Sequence, residues 1–324
     1  MAIHKYDAEA DWNNNVNIEN KKLVKEFMEY ISATDRSPQT KSSYLHNLKL
    51  FFQFIYKEKD NKFFGELKKR DFMSWLSYLV DTQELSPARV RALRSTVSSL
   101  SNFCENILAD EDCRFEGYRN LILKIPAPSL EKIREKTYLT DEQVNQLLDW
   151  LEEKQDWQKC LYVAISFGTG ARKGEVLQMK ISDFNKENLI NGMYKTSIKR
   201  CKGKGRNGEQ RAFLIPAIMV DKYLDLYLPT REDDLDDLFV VKYGGIVKRP
   251  DPSTFNSWCD KFSEYLKVPV YPHAYRASIA TVLSERGKDP SKIQKLLGHK
   301  QLTTTLENYI KPSDENDICD LYAD

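Results

Sequence analysis

The side chains best suited to chemistry lie in a few short motifs. In FGTGARKGEVLQM, Arg172 follows a Thr-Gly-Ala turn and Glu175 stands three positions on. In PHAYR, His273 and Arg276 are three residues apart, a spacing that puts both on one face of a helix. In LLGHKQLTTTLENYI, Gly298 reads as a helix C-cap, His299 opens the next segment, and Tyr309 follows ten residues later. Guanidinium forks bind oxyanions through paired hydrogen bonds, imidazole exchanges protons near neutral pH, and a phenol with a reference pKa of about 10 can serve as a nucleophile. Taken singly, each motif has an ordinary explanation: HxxR occurs by chance, an Arg–Glu pair at i, i+3 is usually a surface ion pair, and such a Tyr usually packs.

The elements that must position these residues fall into two regions. Leu23, Phe27 and Ile31, then Tyr44, Leu45, Leu48, Phe51, Phe52 and Ile55, repeat at helical spacing. Between them, RSPQT places Ser37 as N-cap and Pro38 at the first helical position. Further helices are expected over about 69–82, 87–107 and 115–123. Pro126 and Pro128 oppose helix and mark a linker, followed by the charged stretch 131–136. Thr140 and Gln143 form a capping-box pattern before Val144, Leu147, Leu148 and Leu151, and a second helix is expected over about 156–167. Strand-like pieces at Gly192–Ile198 and Ala212–Ile215 flank a Gly-rich basic turn, and helices are expected again from Ala217. The expected organisation is a polar tail over 1–19, a helical domain over 20–125, a linker over 126–137, and a second, α-rich domain over 138–324 with a small three-stranded antiparallel sheet and a C-terminal tail.

Composition narrows the class. The 324 residues are 41% hydrophobic and 30% charged, as expected of a globular chain long enough for two domains. Net charge is only +1, so any polyanion-binding face must come from local clustering. Residues 195–211 supply such a cluster: Lys195, Lys199, Arg200, Lys202, Lys204, Arg206 and Arg211 stand against Glu209 alone. That pattern suits either a solvated hairpin tip or a finger aimed at a phosphate backbone. Arg89, Arg91 and Arg94 follow a Ser-Pro helix start, and Thr40, Lys41, Ser43, His46, Asn47 and Lys49 decorate another helix. Such residues can touch phosphates and base edges or simply form solvated faces. None of the six cysteines forms a CxxC pair, and scattered thiols suit a reducing cytosol. The N-terminus reads as neither a signal peptide nor a transit sequence, and no window approaches the roughly 20 apolar residues of a membrane span.

The order of the motifs narrows the reading further. TGARKGE, GKG, HAYR and LGHKQLTTTLENY, in that sequence, resemble the boxes of the tyrosine recombinase (phage integrase) family, of the two-domain Xer-like type, across about residues 20–312. The GKDPSKIQKLLGH run matches the family's approach to its second His. Ala171, Tyr275 and Ala277 depart from the usual residues at their positions without removing a catalytic side chain. The resemblance implies a mainly α fold, with a SAM-like core-binding domain preceding the catalytic one. It implies a site-specific DNA recombinase working through a 3′-phosphotyrosine and a Holliday junction, in integration, excision, inversion or resolution. Tyr309 is then the nucleophile, and Arg172, Arg276 and His299 stabilise the phosphorane. His273 accepts the tyrosine proton or positions the phosphate. Lys204 protonates the 5′-oxygen, with Lys202 as the alternative, and Glu175 orients Arg172.

Arg89, Arg91, Arg94, Lys41, Ser43, Lys199, Arg200, Lys202 and Arg206 are the expected DNA-binding residues. No metal or cofactor is implied. The expected partners are double-stranded recombination sites, clamped between the two domains, and other copies of the chain in a homotetramer joined by exchange of the C-terminal tail. The expected setting is the cytoplasm, on bacterial or phage-encoded DNA. A type IB topoisomerase-like enzyme, a catalytically inactive DNA-binding accessory protein and a metal nuclease are the rival readings.

Overall fold

The computed structural model describes residues 8–34, 36–129, 137–203 and 208–298. The chain divides into two compact units, with the break between residues 133 and 134.

The first unit is helical. Its helices are α1 (Ala8–Asn14), α2 (Ile18–Ala33), α3 (Pro38–Glu58), α4 (Lys69–Ser77), α5 (Pro87–Phe103) and the short α6 (Ala109–Glu111). The starts expected at Ser37 and Ser86 are made by side-chain caps: Ser37 Oγ accepts from the Thr40 N–H at 3.2 Å, and Ser86 Oγ from the Arg89 N–H at 3.4 Å. α4 and α5 each continue through one π-helical turn, Tyr78–Thr82 and Cys104–Leu108, so both fill the expected ranges. The core is aromatic. Phe51 meets Trp75 edge-on at 4.8 Å and stacks with Phe72 at 6.1 Å, and Phe27, Phe52, Phe64 and Phe115 are closed to solvent. Each such ring pair adds about 0.5–1.5 kcal/mol to simple area burial.

Two sequence expectations fail here. The polar stretch 1–19 is not all tail, because residues 8–14 form α1. Asp11 accepts from Gln53 Nε2 at 2.7 Å and pairs with Lys57 at 3.2 Å, and Glu9 pairs with Lys49 at 2.6 Å. Only Trp12, against the Phe52 ring, adds an apolar contact, too little for a stripe to read. Residues 115–123 are not an α-helix but two 3₁₀ turns, Cys113–Phe115 and Leu121–Lys124. Arg94 of α5 takes the carbonyls of Ile122 and Ile125 at 2.8 and 2.7 Å, and the buried Asn120 amide reaches Ser98 and Asn102. These bonds to α5 replace a local helical ladder.

In the second unit, α7 (Asp141–Glu153) starts at the expected Thr140–Gln143 capping box. α8 (Trp157–Thr169) follows; its apolar run is buried on every side, against α7, α10 (Ala217–Tyr227) and α12 (Ala274–Glu285). α9 (Lys173–Val176), α11 (Thr254–Leu266) and α13 (Pro290–Leu297) complete the helices. β1 (Leu189–Ile190), β2 (Met193–Lys195) and β5 (Leu214–Pro216) form a three-stranded antiparallel sheet, with β2 in the centre. β3 (Lys199–Cys201) and β4 (Glu209–Arg211) extend that hairpin, with Lys199 opposite Arg211. Thr196 and Phe213 bridge the two ladders through bonds of 2.9 Å. The expected return to helix after Ala217 is interrupted by a second hairpin, β6 (Val241–Tyr243) and β7 (Ile246–Lys248), around Gly244-Gly245.

Candidate active site

Arg172 stands in extended conformation (φ −72°, ψ 151°) at the N-terminus of α9. Glu175, 2% exposed, accepts from the Arg172 backbone N–H at 2.8 Å and from its Nη1 at 2.9 Å. One carboxylate thus caps the helix and fixes the guanidinium. The turn before it requires glycine. Gly170 has φ +59°, and a Cβ there would lie 2.6 Å from Leu297 Cδ2 and 3.2 Å from Ile279 Cγ2. The backbone leading to Arg172 is therefore packed directly on α12 and α13.

His273 stands at the N-terminal boundary of α12 and Arg276 lies in its first turn. Arg276 is fully buried; its Nη1 donates to the Gly170 carbonyl at 2.8 Å and its Nη2 to that of Leu297. It ties the end of α8 to the end of α13. The His273 pKa falls from 6.5 to about 4: burial contributes most, followed by the charges of Arg276, Arg172 and Lys202, with Glu175 opposing. The ring retains exposed surface, yet among three cations it is neutral at pH 7 and can accept a proton. An open cleft lies here, lined by Arg172, Lys173, Asn256, Tyr271, Pro272 and His273.

The basic hairpin contributes unequally. Lys199 is 4% exposed and pairs at 2.5 Å with Asp183, itself 2% exposed. Burial pushes the Asp183 carboxyl up, but hydrogen bonds from Lys199, Ser197 and the Lys180 N–H outweigh it and hold it below its ordinary range. Lys199, one of the expected DNA-binding residues, therefore anchors the hairpin through a buried ion pair. Arg200 and Lys202 are exposed, and Lys202 is near enough to His273 to depress its pKa. Lys204, Arg206, His299 and Tyr309 lie outside the described residues.

The DNA-binding candidates of the first unit also separate. Ser43 is exposed, and Lys41 and Arg89 are half-buried. Arg91 Nε donates to the Pro128 carbonyl at 2.6 Å, and Arg94 caps the turn at 121–125. These two half-buried guanidiniums, expected to bind DNA, each hold backbone carbonyls of the first unit. Asn47 is buried and donates to Thr96 at 2.9 Å, a cross-link between α3 and α5 that its neighbours in sequence conceal. The sequence reading missed Lys173 and Asn256, which meet at 3.2 Å in the cleft. Adjacency to Arg172 was the one available signal for Lys173; Asn256 had none, since α11 brings it from 83 positions away.

A helical unit followed by an α-rich unit with a basic hairpin, an arginine–glutamate pair and a neutral histidine define a protein built to handle a phosphodiester backbone. Residues 137–316 match the model described as "Phage integrase family" and residues 23–111 that of "Phage integrase, N-terminal SAM-like domain". The chain belongs to the phage integrase family, the tyrosine recombinases, and is an enzyme of the class that cleaves and rejoins DNA. It is 28% identical over 298 residues to the SPbeta prophage-derived recombinase-like protein YomM of Bacillus subtilis, covering 91% of this chain and 88% of that one. It is 27% identical over 288 residues to tyrosine recombinase XerA of Pyrococcus horikoshii, covering 89% and 88%. A lambda integrase tetramer bound to a Holliday junction shares the fold, with a TM-score of 0.65 and 14% identity, covering 96% of this chain and 83% of that one.

Proposed function

We propose that the cleft beside Arg172 and His273 receives the scissile phosphate of a specific DNA site. The carrying observation is the clustering of Arg172, held by Glu175, with Arg276, Lys202 and a neutral His273. Tyr309 Oη attacks phosphorus, the 5′-oxygen leaves, and a 3′-phosphotyrosine stores the bond. His273 takes the phenolic proton. Lys204 or Lys202 gives a proton to the departing 5′-oxygen. Arg172, Arg276 and His299 neutralise the charge that develops on the non-bridging oxygens. Attack by the 5′-hydroxyl of a second strand reverses the step, and two such exchanges make and resolve a Holliday junction. Lys41, Ser43, Arg89, Arg200, Lys202 and Arg206 hold the DNA backbone. A homotetramer acts on paired sites in the cytoplasm, with each C-terminal tail docked on a neighbour, as the apolar positions Ile318, Leu321 and Tyr322 allow.

The test is covalent trapping on a nicked duplex whose site is first selected from random sequence by binding to the protein. Wild type forms an adduct and Tyr309→Phe does not; an adduct with the mutant overturns the assignment. A 5′-bridging phosphorothiolate then separates the lysines, since its better leaving group rescues the alanine variant of the true acid alone. Relaxation of supercoiled DNA lacking the site would favour a topoisomerase instead.

A further inference from the structure

Arg211 is absent from the mechanism, yet it joins two parts of the site. On β4 it lies opposite Lys199, whose ion pair with Asp183 anchors one strand of the hairpin. The Arg211 guanidinium stacks 4.2 Å above the Phe213 ring. Its Nη1 donates to the Leu296 carbonyl at 3.0 Å and reaches that of Lys295 at 3.5 Å. These carbonyls form the negative end of α13, where a cation is favoured. The approach is close: a Cβ on Gly298, which has φ +67°, would lie 2.4 Å from Arg211 Nη1 and 2.8 Å from its Cζ. Arg276 takes the next carbonyl, that of Leu297, from α12. Two guanidiniums on separate elements thus grip the last three carbonyls of the helix that leads into His299. β3 also packs against α9, so the same hairpin borders the Arg172–Glu175 pair.

We propose that Arg211 is a positioning residue that clamps the β3–β4 hairpin onto the C-terminal end of α13, holding the hairpin strand that leads to Lys202 against the helix end that Arg276 also grips. Arg211 touches no reacting atom. It acts through β3, which runs directly into Lys202, a candidate proton donor, so its loss falls on leaving-group protonation. The inference rests on the phosphoryl-transfer reading above.

The experiment uses the full-length protein and the selected nicked duplex, with either an ordinary or a 5′-bridging phosphorothiolate linkage. Arg211→Met keeps an apolar stem over Phe213 and removes the hydrogen bonds. Adduct formation on ordinary DNA is expected to slow about tenfold, the scale of a lost charged hydrogen bond. Slowing on the thiolate stays within about twofold, where protonation is no longer needed. DNA affinity is unchanged, and Arg211→Lys, still able to donate to Leu296, restores most of the rate. Equal slowing on both linkages, or none, overturns the clamp. If Arg211→Met does not fold, Arg211→Gln, which shortens the side chain and removes the guanidinium, carries the same comparison with the same outcomes. A wild type that forms no Tyr309-dependent adduct sinks the phosphoryl-transfer reading and the clamp together. A normal wild type with an unaffected Arg211→Met sinks the clamp alone.

Discussion

At the scale of single residues, the site depends on how a few groups are held and charged. Glu175 is buried, and its carboxylate accepts two hydrogen bonds from Arg172. Glu175→Gln keeps the shape but loses the charge that orients the guanidinium. Single-turnover cleavage should fall by about tenfold or more, since a hydrogen bond to a charged group contributes about 1.5–3 kcal/mol. A quench-flow assay with saturating DNA measures this, and an unchanged rate would remove Glu175 from the site. The depressed His273 pKa has a definite sign. Below pH 6.5 the unfolded chain takes up this proton more readily than the folded one. Its effect on stability is absent above that pH and grows unfavourable as pH falls toward about 4. Denaturant titrations should show His273→Gln losing less stability than wild type across that window. A bound phosphate dianion or diester would raise the same pKa, so DNA binding near pH 5 should be coupled to proton uptake, visible in calorimetry as a buffer-dependent enthalpy.

At the scale of elements, equivalent-looking cations have different tasks. Arg94 holds two carbonyls of a 3₁₀ turn, whereas Lys41 sits on the half-buried flank of α3. Arg94→Ala should cost about 1–3 kcal/mol of stability, the penalty for leaving buried acceptors unsatisfied, and leave the salt dependence of DNA binding alone. Lys41→Ala should do the reverse, lowering the slope of log affinity against log salt by about one. Chemical denaturation and salt-titrated binding separate the two, and a matched effect on both variants would contradict this division. The hairpin follows the same rule. Lys199 and Asp183 are buried together, and removing either partner alone should cost about 3–5 kcal/mol.

At the scale of the molecule, a net charge of +1 means that DNA affinity must come from local clusters and not from the overall field. Truncation after Pro312 is expected to spare binding of one protomer to one half-site and to abolish the tetramer on paired sites. Sedimentation with site DNA reads both, and a tetramer formed by the truncated chain would exclude tail exchange.

Much of the site and the fold was legible without coordinates. The caps at Ser37 and Thr140, the αL stop at Gly298 and the aromatic stripe of α3 depend on neighbours within about four positions, which is the range of a helical turn. The order of TGARKGE, HAYR and LGHKQLTTTLENY was likewise readable, because each box is compact in sequence. The occupations of the long cations were not. Arg94 finds its carbonyls 28 and 31 positions away, and Arg211 finds Leu296 at 85. α1 was missed because it offers one core-facing aromatic, Trp12, and otherwise docks through polar bonds such as Asp11–Gln53, and the charge state of His273 is set by burial and by cations on separate elements. Side-chain type and local spacing state what a residue is able to do. Which arginine holds up a turn was decided by folding, because only the tertiary structure brings unpaired carbonyls within reach of a guanidinium whose own donors then need acceptors.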